Sequence, residues 1–114
     1  MAECIFCRIA KREVEAGVIY EDDLCLAFND LHPQAPLHAL VIPKRHVVNL
    51  LEAGETEAEL LGHMLLVCNK VAKEAGVAER GFRVITNSNA ESGQSVDHLH
   101  FHVLGGRRMR WPPG

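Results

Sequence analysis

Apolar residues fall along this chain in two rhythms, one helical and one alternating. Ile5, Phe6 and Ile9 recur at helical spacing within residues 4–12, which predicts a short N-terminal helix. Apolar runs at 18–21 and 24–28 flank Asp22-Asp23 and predict two strands joined as a hairpin. Residues 30–36 carry Pro33 and Pro36, whose missing N–H groups bar them from a central strand, so an ordered loop is expected. Residues 38–43 resume as a strand. Further on, 82–87 reads as a strand, 88–95 as a polar loop, and 98–104 as a last strand stopped by Gly105-Gly106.

Between these strands lies one long helical pattern. Thr56 and Glu59 form a capping-box pair, Glu55, Glu57 and Glu59 suit the positive end of the helix dipole, and Gly76 suits the residue just past the end. Leu61, Met64, Leu65, Cys68, Val71, Ala72 and Ala75 make the apolar stripe, and Leu60 and Val67 widen it. A broad core contact or a second subunit would each account for that width. One long helix, a short one and about five strands on short turns predict an α+β fold with a mainly antiparallel sheet. A chain of 114 residues suits a single domain spanning 1–114.

Composition narrows the function. The formal net charge is −3 with a pI near 6.1, so no basic surface dominates and a nucleic-acid backbone is not the expected partner. Arg107-Arg108-Met109-Arg110 is a local exception, too short to change that. The longest apolar runs, such as Ala39-Leu40-Val41-Ile42, are strand-sized, and the opening Met-Ala-Glu-Cys has no leader pattern, so a cytoplasmic protein without membrane contact is expected. Cys25 and Cys68 sit in apolar surroundings and read as core. Cys4-x-x-Cys7 has the spacing of metal or redox chemistry, or of two packed thiols.

The last strand carries the chemistry. Side chains alternate across a strand, so His98, His100 and His102 share one face while Leu99, Phe101 and Val103 take the other. Imidazoles could be polar filler there, but Thr, Lys or Glu would serve that purpose more naturally. Two functional readings remain: a His-x-His metal pair, or one nucleophilic histidine whose neighbours handle protons and charge. Gly93-Gln94-Ser95 just before the strand favours the second, because it offers N–H groups and a hydroxyl to anionic oxygens.

The segment His98-Leu99-His100-Phe101-His102-Val103-Leu104 resembles the signature of the histidine triad (HIT) superfamily. Gly93-Gln94-Ser95-Val96, Pro33-Gln34-Ala35-Pro36 with His38, Ile42-Pro43-Lys44 and the Trp111-Pro112-Pro113-Gly114 ending resemble its Hint branch, the purine nucleoside phosphoramidases. That resemblance covers essentially the whole chain. It implies hydrolysis of a P–N bond with His100 as the nucleophile, transiently nucleotidylated. His38 and His102 would be donors to the phosphate oxygens, and Ser95 the proton source for the leaving amine. Gly93 and Gln94 would line the same pocket, with Asn87 at its edge. Asp30 would hold the ribose hydroxyls, although it equally suits a loop residue capping its own backbone. Ile5, Phe6, Ile9, Phe28 and Leu31 would form the base pocket, although each also suits the core. Catalysis would need no metal. A structural zinc is implied at Cys4, Cys7, His46 and His98, and a homodimer with one continuous sheet is implied as the assembly. Asp97 and Arg110 depart from the branch pattern, which bears on leaving-group preference. His32 has no implied role, and His63 reads as a solvated residue on the helix flank. A dinucleoside polyphosphate hydrolase of the Fhit type, a nucleotide-binding regulatory module and a zinc enzyme built on the strand histidines are the alternatives.

Overall fold

A computed structural model describes residues 4–114; Met1, Ala2 and Glu3, the start of the segment without a leader pattern, lie outside them. The first helix, α1 (Ile5–Ala10), begins where the Cys4 thiol accepts the Cys7 N–H. Strands β1 (Val18–Glu21) and β2 (Cys25–Asn29) form the expected hairpin. The Asp22 carboxylate makes its turn by accepting the N–H groups of Leu24 and Cys25, each at 2.8 Å. After the loop comes β3 (Leu37–Pro43), then α2 (Ala58–Glu74), β4 (Phe82–Ile85) and β5 (Phe101–Gly105). The five strands make one antiparallel sheet in the order β1-β2-β3-β5-β4.

Both faces of the sheet are covered at its centre, so all seven residues of β3 are buried. On one face Ala39, Val41, Phe101 and Val103 pack against Met64, Val67, Cys68, Val71 and Ala72 of α2. On the other, Leu26, Phe28, Leu40 and Ile42 pack against Phe6, Ile9 and Ala10 of α1. Among the described residues no helix is long and apolar enough to cross a membrane.

The helix and the last strand differ from expectation in detail. Thr56 and Glu59 do not form the capping pair. A short 3-10 turn (Glu55–Glu57) precedes α2, and Glu57 folds back to accept the Gly54 N–H at 2.9 Å and the Thr56 hydroxyl at 2.8 Å. Gly76 does end the helix, at φ +75°, with Val77 N–H bonded to Ala72 O and Gly76 N–H to Lys73 O. Val67 belongs to the core, whereas Leu65 (49% exposed), Leu66 (59%) and Ala75 face outward. The strand β5 begins only at Phe101, opposite Val41, and the last two residues of β3, Ile42 and Pro43, pair with β2 alone. Residues 98–100 run on extended, with Leu99 N–H donating to Val47 O in the neighbouring loop.

Candidate functional site

Along the α1 face of the sheet, His98, His100 and His102 line up as the alternation predicted. Phe6 of α1 meets the rings of His98 and His100 edge-on, with centroids 5.9 and 5.1 Å away, and His102 lies 5.1 Å from His100. His38 arrives from β3, where it pairs with Leu104 and so shares that face.

Hydrogen bonds to the backbone set the protons on these rings. His100 is buried, and its Nδ1 lies 2.7 Å from the carbonyl of His98. A carbonyl only accepts, so Nδ1 carries the hydrogen, and the lone pair of the neutral ring is at Nε2. On His38, Nδ1 accepts the Gln34 N–H at 3.0 Å, which leaves the hydrogen on Nε2. That Nε2–H faces His102 Nδ1 at 2.9 Å and Asp30 Oδ2 at 3.4 Å. In its neutral form His102 therefore carries its own hydrogen on Nε2. Burial pushes His102 down to about 4, with His100 and His38 adding to the effect and Asp30 opposing it. It also lowers His38, again against Asp30. Both rings are neutral near pH 7, and the Nε2–H of His38 is directed at His102 and Asp30.

Asp30 divides its carboxylate. Oδ1 accepts the His32 N–H at 2.8 Å, the loop cap that its position suggested, while Oδ2 faces His38. Phe6, Ile9 and Phe28 are buried in the α1-side core, while Ile5 (41% exposed) and Leu31 (88%) stand at the surface. Asn87 is half-buried just past β4, next to Thr86, whose hydroxyl donates to His100 O at 2.9 Å.

Gln94 differs from the expectation of a pocket-lining amide. Its Oε1 accepts from Asn89 N–H (2.8 Å) and Asn49 Nδ2 (3.1 Å), and its Nε2 donates to Val48 O (2.8 Å) and Val96 O (3.0 Å). All four bonds are internal, so this side chain clamps the loop that presents Gly93 and Ser95, both exposed. Gly93 sits at φ +88°, a turn that other residues resist. Asn49, 1% exposed, completes the clamp, a role the sequence reading does not contain. Its only signal was an amide inside the apolar run Val47-Val48-Asn49-Leu50-Leu51. Thr86 gave none.

Cys4, Cys7, His46 and His98 converge, with one ligand atom from each inside 4.8 Å. Cys4 Sγ and Cys7 Sγ lie 3.2 and 3.5 Å from His98 Nδ1, and Cys7 Sγ lies 3.2 Å from His46 Nδ1. The other nitrogen of His98 donates to Pro43 O at 2.9 Å, which leaves Nδ1 with a lone pair aimed at the thiols. Burial, above all, lowers His98 to about 4, so the ring is neutral. Ligand atoms around tetrahedral zinc stand ~3.3–3.8 Å apart, and a Cys2His2 set with one ring fixed by a backbone carbonyl fits that ion. By contrast, the His38–His102 contact has hydrogen-bond length and is closer than two zinc-bound nitrogens. His63 is not simply solvated: its Nε2 pairs with Asp22 Oδ2 at 2.6 Å.

Comparison with known proteins identifies the family. The HIT domain model matches residues 11–109. An uncharacterized HIT-like protein of Synechococcus elongatus is 52% identical over 112 residues, 98% of this chain and 97% of its own. A HIT family hydrolase of Legionella pneumophila superposes with a TM-score of 0.96 at 46% identity, covering 98% of this chain and all of the other. A hypothetical histidine triad nucleotide-binding protein of Sulfolobus tokodaii does so with a TM-score of 0.78 at 39% identity, over 96% of this chain and 72% of its own. With the matched model spanning the sheet, the long helix and the three aligned histidines, the chain belongs to the HIT family.

Proposed function

We propose that this protein hydrolyses the P–N bond of purine nucleoside phosphoramidates through a nucleotide carried on His100. The observation behind this reading is the tautomer of His100: its Nδ1 hydrogen is bound to the His98 carbonyl, so a lone pair sits at Nε2 beside His102. Names of relatives support it at a coarser level, one being called a hydrolase and another nucleotide-binding.

His100 Nε2 attacks the α-phosphorus, and the electrons of the P–N bond leave with the amine, which takes a proton from Ser95. His102 donates its Nε2 hydrogen to a non-bridging oxygen, where charge grows, while His38 holds His102 in that tautomer. Water then attacks the phosphorus, its hydroxyl staying there as the P–N bond to His100 breaks and its proton returning to Ser95, so one hard displacement becomes two easier ones. Asp30, with Oδ1 spent on its loop, offers Oδ2 to the ribose. Phe6, Ile9 and Phe28 back the base, with Ile5 and Leu31 at the rim.

Zinc at Cys4, Cys7, His46 and His98 would tie α1 to the segment that carries the nucleophile, a structural role. A homodimer is proposed as well, because Leu65 and Leu66 face outward on α2 and β4 is a free sheet edge. Light scattering at micromolar concentration tests it; a stable monomer refutes it.

The test of the reaction is turnover of adenosine phosphoramidate beside a diadenosine polyphosphate. His100→Ala is expected to lower the maximal rate by at least about three orders of magnitude. Quenched-flow mass spectrometry is expected to find the nucleotidyl group on His100. An adduct elsewhere, or near-normal turnover in His100→Ala, refutes the mechanism.

A further inference from the structure

Next to the histidines, on the same face of the sheet, lies a cleft of about 520 Å³. Its placement follows from register. Ile85 of β4 pairs with His102 and Arg83 pairs with Leu104, and cross-strand partners share a face. Ile85, Leu104 and Arg83 line the cleft together with Arg107, Arg110 and the C-terminal residues Pro112 to Gly114. A smaller hollow, about 200 Å³, shares Arg107 and adds Arg80 and Arg108.

Five of the chain's eight arginines thus gather at one end of a protein whose net charge is −3. The other three face carboxylates: Arg8 with Glu13, Arg12 with Glu21 and Arg45 with Glu57. Among the described residues, none of the five forms an ion pair with a carboxylate. Two are instead braced by neutral groups. Arg83 donates to Arg110 O at 3.1 Å and stacks over Trp111, and Arg107 donates to Gln34 O at 2.8 Å and to Arg108 O at 3.0 Å. Their positive charge is positioned with no side-chain carboxylate paired to it, the condition for binding an anion.

The order of the strands assigns that anion its place. Asp30, Phe6, Ile9 and Phe28 lie on the β2–β3 side of His102, while the cleft lies on the β4 side. A phosphorus held at His100 and His102 has its nucleoside on the first side and its leaving group on the second. We infer that the leaving amine bears an anionic group, a carboxylate or a phosphate, received by Arg83, Arg107 and Arg110. This rests on the phosphoramidase reading. The step is the one given above: the His100–phosphorus bond forms, the P–N bond breaks, and the amine departs protonated with its anionic group still in the cleft.

Four adenosine phosphoramidates of matched length test it, with propylamine, a diamine, β-alanine or phosphoethanolamine as leaving amine. At low salt, kcat/KM for the better anionic substrate is expected to exceed that for propylamine about tenfold. Three charge contacts, one from half-buried Arg83 and two from exposed Arg107 and Arg110, together supply about that much at low salt. High salt should shrink the ratio towards one, because the cleft is open to screening. The double variant Arg83→Gln/Arg110→Gln should do the same at low salt, and Arg110→Gln alone, on the surface tail, should do so in part if the double variant folds poorly. β-Alanine ahead of phosphoethanolamine identifies a carboxylate, and the reverse a phosphate. Equal rates for anionic and neutral amines, a preference for the diamine, or a ratio unmoved by both variants overturns this inference while leaving the phosphoramidase reading intact. Failure of all four substrates overturns both.

Discussion

Gln94→Ala separates a clamp from a ligand contact. Truncation removes four hydrogen bonds at once and leaves Val48 O, Val96 O, Asn89 N–H and Asn49 Nδ2 short of a partner. A net hydrogen bond contributes about 0.5–1.5 kcal/mol, and a buried group left unpaired costs more. Asn49 is buried but still bonds Asn89 Oδ1, and Asn89 itself is exposed, so water compensates part of the loss. The expected destabilisation is about 2–4 kcal/mol, read as a lower urea midpoint at unchanged slope. Turnover should fall as well, through kcat rather than KM, because Ser95 loses the fixed loop that presents it. Gln94→Glu should recover little, since its carboxylate would face the carbonyls of Val48 and Val96. A Gln94→Ala protein within about 0.5 kcal/mol of wild type, with only KM changed, would show that the amide serves the ligand and would refute the clamp.

Two further outcomes are expected. Cys4→Ser should release zinc from purified protein, measured by elemental analysis, and lower the melting temperature while a folded remainder still turns over substrate; protein purified without chelators and found metal-free would mark the thiols as merely packed. Asp22→Asn probes pH dependence. Burial alone would raise the Asp22 carboxyl, but donors from Tyr20, Leu24, His63 and Cys25 outweigh it and hold it well below the usual carboxylate range. A depressed carboxyl contributes stability that is fully present above its ordinary value and is lost as pH falls towards the folded one. Asp22→Asn should therefore cost about 1 kcal/mol near neutral pH, and its urea midpoint should converge with that of wild type below about pH 4. Parallel midpoints at every pH would contradict this.

Much of the molecule was legible along the chain because its signals are local. Period-two alternation placed three histidines on one face, prolines marked the loop at 30–36, and Gly76 marked the end of α2. Such patterns depend on backbone geometry within a few residues, so sequence alone determined the approximate elements, the α+β class and the shared face of the three histidines, while His100 as the nucleophile is what the family resemblance implies. Other features depend on which distant groups meet, and no local pattern encodes that. Only the fold decided that Leu65 turns outward while Val67 is core, and that Gln94 is consumed by Asn49, Asn89 and two carbonyls. It also paired His38 with His102 across two strands and gathered Cys4 and Cys7 with His46 and His98 from separate elements. The arginines show the same division. Three of them sit together near the C-terminus and read as a weak basic run, but antiparallel pairing of β4 with β5 brings Arg83 beside them on the histidine face, because cross-strand partners share a face whatever their distance in sequence.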